Sequence, residues 1–249
     1  MVQTLLEIVQ DILTNVDGDK VNSIADTEES EQVAEFVRGA YNDLMSHTKW
    51  PHTRRAISLI PFADPAKPTH MKLPTDVKEV ISIQYDARKI GETRRYYKEM
   101  KYLDPDDFLR RLNSRDNTST NMSLITDTSG IELIIQKDKA PEFYTSIDDV
   151  NLIFDSYDEG IDTTLNEAKF QTQAYIMPQF LLVDTFVADL PPDAFSLLKQ
   201  EALSRVQFRM RQINDPKAEQ EVRRQSNWMS RNAWRTQGGI KYPDYGRRK

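Results

Sequence analysis

The chain has 249 residues, 39% hydrophobic and 29% charged, with 9% aromatic, enough to bury a sizeable core and too apolar in its periodic segments for wholesale disorder. It contains no cysteine, which excludes disulfides, thiolate nucleophiles and cysteine metal sites. The net charge of −6 divides unevenly: residues 199–249 carry 13 Lys+Arg against 5 Asp+Glu (+8), and residues 1–198 carry 20 against 34 (−14). That asymmetry describes a basic arm on an acidic body.

The first ten residues, MVQTLLEIVQ, lack the basic and continuous apolar regions of a secretion signal, and no run of about 18 apolar residues marks a membrane span. Assembly in the cytoplasm is therefore expected, with no membrane partner. Leu5, Ile8, Val9, Ile12, Leu13 and Val16 recur at helical spacing, and Thr4 with Glu7 supplies a capping box. This helix is expected to end near Asp17-Gly18. A second stripe of Val33, Phe36, Val37, Ala40, Tyr41 and Leu44 follows, with Asp26 and Glu29 as its cap pair, and the resulting helical hairpin closes at Trp50-Pro51.

The pattern then turns to short β-branched and aromatic runs: residues 54–62 (RRAISLIPF), 77–85 (VKEVISIQY) and 94–103 (RRYYKEMKYL) read as strands. Asp104-Pro105-Asp106-Asp107 starts a short helix running to about Leu112, and residues 113–121 read as a polar, mobile linker. Residues 123–126 and 131–136 form a predicted hairpin across Asp127-Thr128-Ser129-Gly130. Residues 142–145 and 150–157 form another across Asp148-Asp149, and residues 170–180 a further strand interrupted at Pro178. Pro191-Pro192-Asp193 opens a long helix bearing Phe195, Leu198, Ala202, Val206, Met210 and Ile213, broken at Asn214-Asp215-Pro216 and followed by a polar helix to about Trp228.

The pattern specifies no chemistry. His47, His52 and His70 have no metal-ligand spacing and read as surface or turn residues. Asp148, Asp149, Asp155, Asp158, Glu159 and Asp162 do not complete a calcium loop and read as a solvated face or a negatively charged lining. With 8 glycines and no Walker, dinucleotide-binding or nucleophile-elbow motif, nucleotide chemistry and serine hydrolysis lack their usual loops. No cofactor and no metal are expected, and the chain reads as a non-enzyme.

The most unusual feature is the C-terminal arm, where Arg223, Arg224, Trp228, Arg231, Trp234, Arg235, Tyr242 and Tyr245 interleave cations and aromatics. Such a segment suits docking on a protein partner, since Trp, Tyr and Arg dominate interface hot spots. The alternatives are a nucleic-acid-binding arm using phosphate contacts and base stacking, and a plain solvated terminus.

The order of parts resembles the head-to-tail adaptor, or connector, proteins of short-tailed bacteriophages, the tail tubular protein A class. The likeness is carried by LLEIVQDIL followed by VNSIAD, by a second helix ending at Trp50, by RRAISLIPF ahead of LPTDVKEVISIQY, and by closing helices before a basic tail. The resemblance implies a virion neck protein in a ring, with 12 copies in the family, between a portal protein and a tail nozzle protein, with DNA only as passing cargo. It also implies that Trp228, Arg231, Trp234 and Arg235 belong to a portal-docking tail, and that the β-rich middle, larger here over residues 113–166, faces neighbouring subunits and the nozzle. An acidic lumen fits this reading, because attraction to phosphates would retain the passing polyanion.

The expected fold is α+β: a helical bundle from the N- and C-terminal helices, an inserted β-rich domain and an extended C-terminal tail. The expected boundaries are 1–52 for the helical hairpin, 53–188 for the β-rich insert, 189–227 for the closing helices and 228–249 for the tail.

Overall fold

The computed structural model describes residues 2–47, 49–62, 64–89, 91–210, 212, 220, 222–225 and 227, a mixed α+β chain that divides into two units. One is helical and combines residues 1–53 with residues from 177 onward; the other, residues 54–176, carries the strands.

In the helical unit, α1 (Leu5–Asn15) begins with the expected capping box, Thr4 and Glu7 bonding reciprocally. Its turn of termination uses Asp17, not Gly18, as the left-handed residue, at φ +55°. Gly18 serves a different need: its N–H donates to Leu13 O at 2.8 Å, and a Cβ there would meet Leu13 Cδ2 at 2.9 Å. α2 (Glu28–His47) is capped one residue later than expected. Thr27 and Ser30 exchange backbone-to-hydroxyl bonds of 3.1 Å, while the Asp26 carboxylate folds back onto the amides of Asn22 and Ser23. Trp50 is buried beyond the helix end and its indole N–H donates to Leu44 O at 3.0 Å, which closes the hairpin.

α4 (Phe195–Met210) completes the same core, contributing Phe195, Leu198, Ala202 and Val206 as expected and Leu197 in addition. Each fully buried Leu, Ile, Val or Phe contributes about 1.5–3 kcal/mol relative to exposure, more than the helix propensity of any of them. Residues 220, 222–225 and 227 are helical, and Val222 packs against this core. Ile213 and the Asn214-Asp215-Pro216 break lie outside the described residues.

The segment 177–188, expected in the β-rich insert, belongs to the helical unit. The reason is aromatic burial: Phe180 and Phe186 stack edge-on with centroids 4.5 Å apart, and Phe180 packs on Tyr41 at 5.2 Å.

The strand unit holds a four-stranded sheet ordered β1-β11-β4-β5 and a five-stranded sheet ordered β2-β3-β10-β9-β6. The strands are β1 (Arg54–Ile57), β2 (Ile60–Pro61), β3 (His70–Lys72), β4 (Val77–Asp86), β5 (Tyr97–Glu99), β6 (Lys101–Tyr102), β9 (Phe143–Thr145), β10 (Asn151–Phe154) and β11 (Phe170–Ile176). Two of the expected single strands are split. Residues 54–62 become β1 and β2, and the run 94–103 yields only β5 and β6, each pair lying in different sheets.

The splits have one cause. Leu59 and Met100, between the halves, are buried in the unit's core, so each edge strand bends inward and continues as an edge of the other sheet. Both edges are shared in this way, and the hydrogen-bonded strands close into a ring. All pairings are antiparallel except β6 with β9. Register shifts between β11 and β4 at Gln173/Ala174 and Tyr175/Ile176 supply local curvature.

α3 (Pro105–Asn113) and the hairpin of β7 (Met122–Thr126) and β8 (Glu132–Gln136) cover this core with Phe108, Leu112, Leu133 and Ile135. Pro105 opens α3 as expected, but the Asp104 side chain makes no capping bond. The hairpin turn has Gly130 at φ +84°, as its sequence anticipates.

The linker read as mobile contains an anchor. The Arg115 side chain, 12% exposed, pairs with Asp155 at 2.9 Å and donates to Ile134 O and Asp155 O at 3.1 and 2.6 Å. Asp155 Oδ1 accepts from the amides of Glu142 and Phe143, both at 3.0 Å. Asp155→Ala would leave a largely buried guanidinium unpaired, and an urea titration should show a loss of about 3–5 kcal/mol. Asp107→Ala, which removes only an exposed pair with Arg110, should cost about 0–1 kcal/mol.

Candidate functional site

Of the arm residues singled out in the sequence, Arg223 and Arg224 are helical and exposed. Trp228, Arg231, Trp234, Arg235, Tyr242 and Tyr245 lie outside the described residues.

The acidic stretch is dispersed rather than forming one solvated face. Asp148 accepts from the amides of Val150 and Asn151 and shapes the β9–β10 turn, where Asp149 takes φ +60°. Asp155 is interior, Asp158 accepts from Gly160 N at 3.0 Å, Glu159 pairs with Lys137 at 3.4 Å, and Asp162 pairs with Lys169. Among the described residues no group of three or more His, Asp or Glu is placed to hold a metal ion.

The histidines differ from one another. His47 is exposed, with Nδ1 2.8 Å from Asp43 O, and His52 Nε2 lies 2.8 Å from Asp189 O. His70, expected at a surface or turn, is buried: Nε2 lies 2.9 Å from Asp127 Oδ1, and Phe62 packs edge-on against its ring. Asp127 also accepts from the hydroxyl and amide of Ser129, at 2.6 and 3.0 Å. The carboxylate thus stands between hydroxyl and imidazole, the wrong order for a base to activate a nucleophile. The cluster instead ties β3 to the β7–β8 turn, and no spacing rule in the sequence joins residues 70 and 127.

A second feature missed in the sequence lies in the helical unit. Val2, Leu181, Leu182, Val183 and Val187 are between 37% and 56% exposed. Their exposure is imposed by the backbone. Leu5 N donates to Phe186 O at 2.7 Å and Leu6 N to Asp184 O at 3.2 Å. Thr4 N donates to the Glu7 carboxylate and Glu7 N to the Thr4 hydroxyl, so all four otherwise orphaned amides at the start of α1, Thr4 to Glu7, are satisfied. The Asp184 carboxylate accepts from Ile24 N at 2.8 Å, and Thr4 bridges Val187. With Phe180 and Phe186 turned inward, the aliphatic side chains of 181–187 form an outward ridge on a fixed backbone. An exposed apolar cluster of this kind is a candidate docking surface. The sequence signal was the run LLVDTFV, whose apolar residues exceed what one buried face of an extended segment uses.

Burial holds the His70 imidazole below its free value of 6.5, against the opposing pull of Asp127. Burial alone would raise Asp127, but the bonds from Ser129, Thr128 and His70 outweigh it and hold the carboxyl well below 3.8. In both groups the unfolded chain binds the proton first as pH falls, so stability is full above about 6.5 and is lost in two windows. The first runs downward from about 6.5 as unfolded His70 protonates, and the second from about 3.8 through Asp127. Urea midpoints measured from pH 7.5 to 5 should fall for the native chain, and His70→Gln should flatten the decline.

No protein-family model matches the chain, and no curated protein sequence matches it.

Proposed function

We propose that the chain is a structural head-to-tail adaptor subunit of a phage virion, acting by binding and without turnover. In this reading copies form a ring between portal and tail nozzle, DNA passes through the ring, and the arm around Trp228 and Trp234 docks on the portal. The N- and C-terminal helices would form the subunit's bundle, with the strand unit inserted and the tail extended.

The observation that carries the reading is the aliphatic ridge of residues 181–187, held outward by its own hydrogen bonds. A fixed apolar surface of this kind is a liability in a free monomer and an asset in an assembly. The division between an acidic body and a basic aromatic arm adds a second surface for a different partner.

Two variants separate the two surfaces. Leu181→Ser with Val183→Ser should keep the urea midpoint within about 0.5 kcal/mol of native while shifting sedimentation and electron micrographs from rings to single subunits. Trp228→Ala with Trp234→Ala should leave self-association intact and abolish capture by portal rings. A native chain that stays monomeric and ignores portal would refute the adaptor reading. Loss of duplex-DNA binding in the tryptophan variant, with portal capture unchanged, would assign the arm to nucleic acid.

A further inference from the structure

The run RRYYKEMKYL was read as one strand, yet its first residues stand outside any strand. Residues 87–89 and 91–96 lie in the loop between β4 and β5, and three of their cations, Lys89, Arg94 and Arg95, are exposed and have no ion-pair partner among the described residues. Tyr96 beside them is 62% exposed. An open concavity of about 1020 Å³ is lined by these four residues together with Ala87, Gly91, Glu92, Thr93 and Tyr97, so three cations face it against one carboxylate.

The loop is held in shape from below. Asp86, buried at the end of β4, accepts from the Arg88 guanidinium at 2.8 Å, from Arg88 N at 3.4 Å and from Tyr96 N at 3.1 Å. Ala87 N donates to Tyr96 O at 2.8 Å, and Glu92 accepts from Lys89 N. Gly91 takes φ +91°, a conformation that favours glycine. One buried carboxylate therefore neutralises Arg88 and pins both limbs, while the remaining cations and the tyrosine ring point to solvent on a folded tip.

We infer that the β4–β5 loop binds the phosphate backbone of nucleic acid through Lys89, Arg94 and Arg95, with Tyr96 stacking on a base or sugar. Unpaired cations that no neighbouring side chain orients suit a repeated, sequence-independent phosphate array better than a shaped carboxylate site. An exposed tyrosine adjacent to them adds the flat surface that unstacked bases use. Residues 1–198 carry a net charge of −14, so within that part of the chain a cluster of unpaired cations stands out as a place for a polyanion. The inference stands on the loop alone and does not depend on the adaptor reading.

The test uses the full chain, so any contribution of the C-terminal arm is common to all variants. Anisotropy titrations with a labelled random-sequence duplex and the matching single strand, between about 50 and 200 mM salt, give affinity and salt slope. The combined variant Lys89→Ala, Arg94→Ala, Arg95→Ala should bind at least about tenfold more weakly, with a salt slope shallower by about 3. Tyr96→Ala should weaken single-strand binding more than duplex binding. A charge-matched variant, Lys20→Ala, Lys72→Ala, Lys101→Ala, removes exposed lysines elsewhere and should bind as the native chain does. Equal loss in the two triple variants, or no loss in either, would overturn the assignment. Polyglutamate binding tighter than DNA with the same loop dependence would overturn it in favour of an acidic protein surface. Portal capture by the loop variant, measured in parallel, separates failure here from failure of the adaptor reading.

Discussion

Asp155 and Arg115 together join four segments of the strand unit, at residues 115, 134, 142–143 and 155. The Asp155 carboxylate takes the amides at the start of β9 and the guanidinium of Arg115 beyond α3, and the Asp155 N–H donates to Phe143 O. Arg115 in turn reaches the backbone of β8. The hairpin is tied down a second time by Tyr157 N donating to Gln136 O and by the His70–Asp127 contact. Burying two charges has a desolvation cost, and here several backbone bonds satisfy both groups at once and offset it. The strand ring is closed by its two bent edge strands, and the Arg115–Asp155 pair fastens the cover.

Helices were legible because their signals are local. The capping box at Thr4 and Glu7, the α1 stripe and the proline before α4 sit within a few residues of one another, and tertiary contacts reinforce them. The displaced cap of α2 shows the limit of such reading: Asp26 is a good cap by type, but its carboxylate is drawn into the preceding turn, which leaves Thr27 to cap. Strands were legible as apolar runs, while their division at Leu59 and Met100 was not. A bent strand and a straight one share the same alternation, and which residue turns inward depends on partners elsewhere in the chain.

The candidate sites were less legible still. Arg115 and Asp155 looked like a linker residue and a surface acid because their meeting depends on a separation of 40 residues. His70 looked like an ordinary histidine until Asp127 was placed beside it. The aliphatic ridge was hidden by the habit of assigning apolar residues to a core, whereas Phe180, Phe186 and Ala188 of residues 177–188 pack into it and Leu181, Leu182, Val183 and Val187 do not. The basic aromatic arm was visible from composition alone, whereas Arg94 and Arg95 of the β4–β5 loop were read as the start of a strand. Composition, however, does not distinguish Arg88, neutralised by a buried Asp86, from the unpaired Arg94 and Arg95.

The segment 177–188 also sets an order of events. The strand unit is continuous in sequence, so all of its contacts are available once residue 176 has been made. The helical unit is discontinuous: α1 and α2 emerge first but wait for Phe180, Phe186 and α4 to complete their core. Its longest contacts span nearly the whole described chain, which places it late in folding and keeps the apolar stripes of α1 and α2 uncovered during synthesis. Residues 181–187 cap α1 and carry the ridge at the same time. The surface offered for assembly is therefore positioned by the step that completes the subunit, and a half-made chain does not present it in its final form.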